Sequence, residues 1–336
     1  MKSLLYTIVS ILLCLLLSGC PARPVADYSF AAGKGYPVTD DTGYTMMLPA
    51  KPHRIVSLAY SVDELLVELV APDRILAFSR WAGDPGITFL TPGQAAAVAN
   101  RAVPYAEALI ALRPDLIITA AGAMRPEAVQ TLRDTGIPVF ISRSPRTLPE
   151  VKTRIKAVAA AVGEKDKGQL LIARMEQQLQ HLEATLAPVT ADKRKCGMAF
   201  DFTGVIGNKN NLLADIFNYA HVRNGAVREG AGSLEQGDNR LSKEQIIAVN
   251  PDLFLLPTWN FDGRSDVDGY RRQLMADPAL QQVAAVRNNQ VLLIPDRYRY
   301  VGSQHVVESI EIFAKAAYPE LFKKEGPHVD EVMQTE

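Results

Sequence analysis

The chain has 336 residues, of which 48% are hydrophobic and 22% charged, and a formal net charge of -1. That length accommodates two domains of ordinary size, and the composition is globular rather than disordered. A near-neutral balance without a long basic run argues against a nucleic-acid binder, which concentrates Lys and Arg on one face.

At the N-terminus, Lys2 precedes an apolar run over residues 4–17, followed by Ser18, Gly19 and Cys20. The run is too short to span a bilayer comfortably and reads as a secretory signal. Leu17-Ser18-Gly19-Cys20 resembles the lipobox of bacterial lipoproteins. That resemblance implies a signal over residues 1–20 and lipidation at Cys20; the alternative is an ordinary signal that happens to contain a cysteine. Several acyl chains on one residue anchor stably, where a single chain binds only marginally. The expected location is the cell envelope, facing the periplasm or the cell exterior. Cys14 leaves with the signal, so Cys196 stands without an intramolecular partner and reads as a small buried hydrophobe. Residues 21–50 form a tether and edge segment, with a small edge strand at 44–48.

From residue 51 the pattern becomes regular. Short apolar runs at 55–58, 75–78, 116–119 and 139–141 alternate with helical stretches, including 61–70 and 126–135. Such alternation predicts a parallel sheet covered on both faces, in a lobe over 51–148. Residues 149–190 are helical only. Val151, Ile155, Val158 and Val162 share one face of a helix that Gly163 ends, and Leu171, Met175, Leu179, Leu182 and Leu186 stripe a second over 165–186. This stretch reads as a stiff connector, or alternatively as a helical insert in a single domain. Runs at 196–200, 253–256 and 291–294, with helices at 212–219 and 305–317, predict a second lobe over 191–325; 326–336 is a tail. The fold class is α/β: two lobes, each with a central, mainly parallel sheet flanked by helices, joined by a long rigid helix.

A repeat supports the two-lobe reading. Residues 107–118 (EALIALRPDLII) return as 244–255 (EQIIAVNPDLFL), 137 positions later, with six of twelve positions identical. Each copy reads as a short helix, stopped by a Pro-Asp turn, feeding a buried strand. Ser242 and Gln245 form a capping box for the second helix. Both copies open with a glutamate, Glu107 and Glu244. The helix macrodipole accounts for either one alone, but two acidic handles at equivalent points suit a two-fold symmetric basic partner.

In open parallel sheets ligands bind beyond the carboxyl ends of the strands. The residues that follow the predicted strands are Tyr60, Arg80, Trp81, Met124, Arg125, Arg143, Phe202, Thr203, Trp259, Asn260 and the run Arg297-Tyr298-Arg299-Tyr300. Aromatic faces with guanidinium forks suit a flat or aromatic ligand bearing acidic oxygens. The ligand-binding set is therefore Tyr60, Arg80, Trp81, Arg125, Arg143, Trp259, Arg297, Tyr298, Arg299 and Tyr300. No His-x-His or His-x-x-x-His spacing, phosphate loop, nucleophile elbow or Cys cluster is present. No direct metal site is expected, although Tyr298 or Tyr300 offers an oxygen ligand to a ferric centre. His305 at a helix start reads as structural, though within reach of a cleft.

Taken together, Pro52-His-Arg-Ile-Val-Ser-Leu58 with Asp63-Glu64-Leu65, the phrase at 107–118 and its counterpart at 241–252 resemble the substrate-binding proteins of bacterial ABC importers for ferric siderophores, haem and vitamin B12. The likeness covers about residues 50–322. It implies a long helix joining two α/β lobes, ligand in the groove between them, and one glutamate per lobe docking to permease arginines, here Glu107 and Glu244. It implies a monomeric receptor without a cofactor, working with a permease dimer and its ATPase subunits, and carrying a metal chelate. A ferric siderophore leads, with haem and cobalamin behind it. A chelatase-like enzyme or an empty structural lipoprotein are the readings from other classes. The chain departs from the family at Ala59-Tyr60-Ser61-Val62, where a Pro-Ser pair is usual, so a bulky ring stands near the groove.

Overall fold

A computed structural model of the chain describes residues 35–205, 210–227 and 240–323. The expected signal, the lipidation position Cys20 and the tail at 326–336 lie outside the described residues.

The first elements are β1 (Tyr36–Thr39) and β2 (Thr45–Leu48), an antiparallel hairpin forming a two-stranded sheet of its own. The edge strand expected at 44–48 thus pairs locally instead of extending a main sheet. Val38, Met46 and Leu48 bury in the main core, and the Asp40 carboxylate accepts from Arg133 at 3.0 Å and from the Ile141 amide at 3.3 Å.

The first lobe runs β3 (Ile55–Ser57), α1 (Tyr60–Leu69), β4 (Ile75–Ser79), α2 (Pro92–Ala96), β5 (Arg101–Ala102), α3 (Ala106–Leu112), β6 (Leu116–Ala120), α4 (Pro126–Asp134) and β7 (Val139–Ser142). Its sheet has the order β5-β4-β3-β6-β7, all parallel. The connector consists of α5 (Leu148–Ala161) and α6 (Lys165–Leu186), with Gly163 between them at φ +74°. At 22 residues, α6 is about 33 Å long. The two helices approach closely at Gly168, where an added Cβ would stand 2.5 Å from that of Ala159.

The second lobe runs β8 (Cys196–Asp201), β9 (Gly204–Val205), α7 (Leu212–Tyr219), β10 (Arg223–Asn224), α8 (Lys243–Val249), β11 (Leu253–Leu256), α9 (Val267–Ala276), α10 (Ala284–Arg287), β12 (Val291–Leu293), α11 (Asp296–Arg299) and α12 (Val306–Ala317). Its order is β10-β8-β11-β12, all parallel, with β9 antiparallel to β8. The two-residue strands β5, β9 and β10 carry too little alternation to read from sequence. Helix α9 buries none of its residues fully, but Tyr270 and Leu274, one turn apart, pack against the outer cluster of the second lobe.

Strand alternation divides the interior. On one face of the first sheet, Val56, Ala77, Ile117 and Val139 pack with α3 and α4. On the far face of the second, Met198, Phe200, Phe254 and Leu256 pack with α8. The remaining two faces share one cluster. It starts at Ile55, Phe78, Leu116 and Phe140, passes through Val151, Ile155, Leu171 and Met175 of the connector, and ends at Ile216, Leu253, Leu255 and Phe313. The connector is therefore held by the same core as both lobes.

The repeated phrase folds alike in both lobes. Each helix ends in a left-handed residue, Arg113 (φ 51°) and Asn250 (φ 49°), which turns the chain into Pro-Asp and the next strand. Each Asp then clamps the start of the neighbouring first strand. Asp115 accepts from the amides of His53 (2.7 Å) and Arg54 (2.8 Å), and Asp252 accepts from the amide of Cys196 (2.7 Å). Strand β6 sits beside β3, and β11 beside β8, so the clamp fixes the central register of each sheet. Replacing either Asp by Ala should cost about 1–2 kcal/mol, because the strand amide loses a charged acceptor. A melting temperature lower by about 2–8 °C in Asp115→Ala and in Asp252→Ala is the expected result; an unchanged melt in both would remove the clamp's role.

Candidate functional site

The carboxyl edges of both sheets meet at one seam, and buried carboxylates set its loops. Asp63, one turn into α1 and fully buried, accepts from the Ser79 amide at 3.2 Å and its hydroxyl at 2.5 Å; Ser79 Oγ in turn accepts from the Trp81 amide at 3.3 Å. The end of β4 and the placement of Trp81 thus rest on Asp63. Its neighbour Glu64 accepts from Thr88 Oγ1 (3.1 Å) and the Phe89 amide (2.9 Å) in the first lobe. It also accepts from Ser303 Oγ (2.5 Å), while its carbonyl accepts from Gln304 (2.9 Å), both just before α12.

The second lobe holds its side of the seam through Asp296. One oxygen accepts from the amides of Thr258 (2.8 Å) and Trp259 (2.7 Å), and the other from Arg299 (2.7 Å), which also donates to the Phe200 carbonyl. Trp259 then crosses to the first lobe, where its Nε1 donates to Asp84 Oδ2 at 2.8 Å. Arg297 crosses beside it, its amide donating to the Gly86 carbonyl (3.0 Å) and its guanidinium to that of Pro85 (2.8 Å). Gly86 permits this approach, since a Cβ there would stand 2.4 Å from the Trp259 ring.

Trp81, Trp259 and Phe261 form one aromatic group, with centroid separations of 5.2 Å (Trp81–Trp259), 6.4 Å (Trp81–Phe261) and 5.1 Å (Trp259–Phe261). The Arg80 guanidinium lies 4.2 Å from the Trp81 ring centre, and Phe261 is 65% exposed. Phe89 sits between Tyr298 (5.0 Å, edge-on) and His305 (4.4 Å, stacked), with Arg297 5.8 Å from its ring. Farther along the seam, Tyr60 donates its hydroxyl to the Tyr300 carbonyl at 2.7 Å. Burial pushes the Tyr60 phenol up to about 12 and raises that of Tyr300, so both hold their protons at neutral pH.

The predicted residues thus fall into groups. Arg80, Trp81, Trp259, Arg297 and Tyr298 gather around the crossing; Tyr60 and Tyr300 join at a second contact. Arg143 borders a cavity at the connector, and Arg125 is exposed at the start of α4 with no contact to either group. Arg299 is 7% exposed and holds the Trp259 loop through Asp296 instead of offering a free fork. Sequence reasoning missed Phe89, Phe261, Asp63, Glu64 and Asp296; an acidic pair inside an apolar helix, at 63–64, was the available signal. Glu107 and Glu244 are exposed in the first turns of α3 and α8. Both helices run between parallel strands of one sheet, so their N-termini lie at its carboxyl edge. Cys196 is buried, and burial pushes its thiol up to about 11. Among the described residues, no group of three or more His, Cys, Asp or Glu could hold a metal ion. No helix among them is long and apolar enough to cross a membrane.

A family model described as periplasmic binding protein matches residues 55–298. The chain belongs to the periplasmic binding protein family. This binding protein is 29% identical over 146 residues to the vitamin B12-binding protein of Vibrio cholerae serotype O1, covering 43% of the chain and 51% of the relative. The alignment thus spans about half the length of that curated relative. It is 25% identical over 244 residues to the vitamin B12-binding protein of Vibrio parahaemolyticus serotype O3:K6, covering 71% of the chain and 79% of the relative. Its fold is that of the periplasmic heme-binding protein RhuT from Roseiflexus sp. RS-1 in apo form, at 24% identity, with a TM-score of 0.65, 80% of this chain and 99% of that one covered. A periplasmic binding protein from Veillonella parvula DSM 2008 matches at 20% identity with a TM-score of 0.68, covering 87% and 94%. These relatives are named as binding proteins rather than enzymes.

The buried carboxyls give the fold a pH dependence. Burial raises Asp63 to about 7, against about 4 in an unfolded chain. Between those values the folded state keeps a proton that the unfolded state has lost, so this stabilisation fades as pH climbs toward 7. Burial raises Glu64 too; burial lowers His305, but its bond to Glu308 and the charges of Glu308, Glu64 and Glu68 together raise it, so both act in the same direction. The melting temperature should therefore fall between pH 5 and pH 8, and Asp63→Asn, which keeps an oxygen for Ser79, should flatten that slope. Equal slopes in the two proteins would exclude Asp63 as its main source.

Proposed function

We propose that this binding protein is the ligand-capturing component of an ABC importer. It is held to the membrane through lipidated Cys20 and collects an anionic metal chelate, with a ferric siderophore as the leading cargo. The observation that carries the reading is the aromatic group contributed by both lobes, Trp81 with Trp259 and Phe261, flanked by the guanidiniums of Arg80 and Arg297. Ring faces suit the planar groups of a chelator, and guanidinium forks suit its acidic oxygens. Tyr298 and Tyr300 remain the candidates for an oxygen contact to the metal.

A corrinoid cargo is the second reading, favoured by relatives named for vitamin B12. A haem cargo draws its support from solved folds named for heme. Titrating the protein with a catecholate ferric chelate, haemin and cyanocobalamin, while following tryptophan fluorescence, separates the three. Saturable quenching by the ferric chelate, lost in Trp259→Ala, is the expected outcome. Saturation by cyanocobalamin or haemin alone would transfer the assignment.

Glu107 and Glu244 are the proposed handles for the permease dimer and its ATPase subunits. Each is exposed and each opens the same repeated helix, one per lobe. Reversing both to Lys should abolish uptake in cells while leaving the ligand affinity of the purified protein within about twofold, since exposed charges contribute little to distant binding. Loss of affinity together with uptake would place these carboxylates in the ligand site instead.

A further inference from the structure

A concavity stands apart from the aromatic group, none of whose residues line it. It has a volume of about 490 Å³, within the usual range of small-ligand sites, and is bordered by the loop after β7 and the first turns of α5. Three arginines line it: Arg143, Arg146 and Arg154. Asp41 and Glu150 line it too, but each is engaged by a backbone donor, Asp41 by the Arg143 amide (2.8 Å) and Glu150 by the Arg146 amide (2.7 Å). Among the described residues, the guanidiniums of Arg143 and Arg146 make no hydrogen bond or ion pair.

Arg154 is the unusual member. It is 4% exposed, and its bonds go to neutral acceptors only: Ser142 Oγ (2.8 Å), Ser61 Oγ (3.0 Å) and the Gly302 carbonyl (2.7 Å). Its Nη2 takes part in none of them. A buried cation normally has a carboxylate beside it, because neutral dipoles recover only part of the lost hydration. Burial lowers this guanidinium to about 10, so it remains charged at neutral pH; Asp41 and Glu64 act on it through space, but no carboxylate is hydrogen-bonded to it.

We infer that this cavity is an oxyanion site, in which Arg143, Arg146 and Arg154 take a carboxylate- or phosphate-bearing group. The guanidiniums of Arg143 and Arg146 can each pair with such a group through two parallel N–H···O bonds, and Arg154 adds its remaining Nη2, so the lining favours a ligand with more than one acidic function. The anion is either a free small molecule or the acidic arm of a larger cargo lying in the groove. Arg154 contacts the first lobe at Ser61 and Ser142 and the chain leading into α12 at Gly302, so the anion would seat on a residue that already ties the two lobes. The inference rests on the cavity and not on the importer reading.

The test is calorimetric titration of the full chain with citrate and, separately, inorganic phosphate, at constant ionic strength in low chloride. Saturable binding of at least one anion is expected, weakened about tenfold or more in Arg143→Ala/Arg146→Ala, exposed residues whose guanidiniums make no hydrogen bond or ion pair within the described residues. Trp259→Ala should leave this binding unchanged, which separates it from the aromatic group. Citrate binding alone identifies a free anion. If neither anion binds but the double variant loses affinity for ferric dicitrate and keeps it for a neutral ferric trihydroxamate, the site takes the acidic arm of the cargo. If neither anion binds and the double variant holds ferric dicitrate as tightly as the original, or if anion binding persists undiminished in the double variant, the inference is overturned.

Discussion

The apolar cluster that runs unbroken from the first sheet, through α5 and α6, into the second sheet governs the rest of the structure. Ile155 and Met175 of the connector belong to the same buried set as Phe140 on one side and Leu255 on the other. A wide hinge motion would have to pull these side chains apart and expose them to water, at roughly 1.5–3 kcal/mol for each large one. Close-packed interiors do not deform gradually. The lobes therefore hold a nearly fixed relation, and the groove between their carboxyl edges is set largely by folding.

Polar bonds trim that frame. Asp63, Glu64 and Asp296 are buried carboxylates, and each accepts from backbone amides that begin a loop of the seam. These bonds fix where each loop starts, and that of Asp296, which is paired with Arg299, is charge-assisted and so the tighter. Glu64 and the Asp296–Trp259–Asp84 relay also bridge the lobes directly. The rings of Trp81, Trp259 and Phe261 stand on supports drawn from both halves, so neither half alone could present them. Acidic groups support the loops while basic and aromatic groups are shown to the groove, a division that suits an anionic guest.

Much of the fold was legible because its elements follow simple periodicities. Helix α7 was read at 212–219 and β11 at 253–256, the bounds the structure shows. The connector helix read at 165–186 likewise has its observed ends. The two-residue strands were not legible, since no alternation marks them, whereas helix α9 went unread although Val267, Tyr270 and Leu274 stand at helical spacing. For the site, the strand-end rule reached Trp81 and Trp259, which meet, and Arg297, which crosses to the same loop at Pro85 and Gly86. It also picked out Arg299, whose role is inward, because the rule finds a position but says nothing of the direction in which a side chain leaves the chain.

The sequence by itself determined the alternation of strands and helices, the helical connector and the duplicated unit with its two glutamates. These rest on local periodicity, on caps and on a Pro-Asp turn, which act over a few residues and leave a readable pattern. Tertiary structure alone decided that Asp84 would meet Trp259, that Glu64 would hold Ser303, and that Arg154 would be buried between Ser61 and Gly302 with no carboxylate hydrogen-bonded to it. These partners lie from 93 to 239 positions apart in the chain. Their meeting depends on how two sheets and a connector pack in three dimensions, for which no short-range pattern in the chain exists.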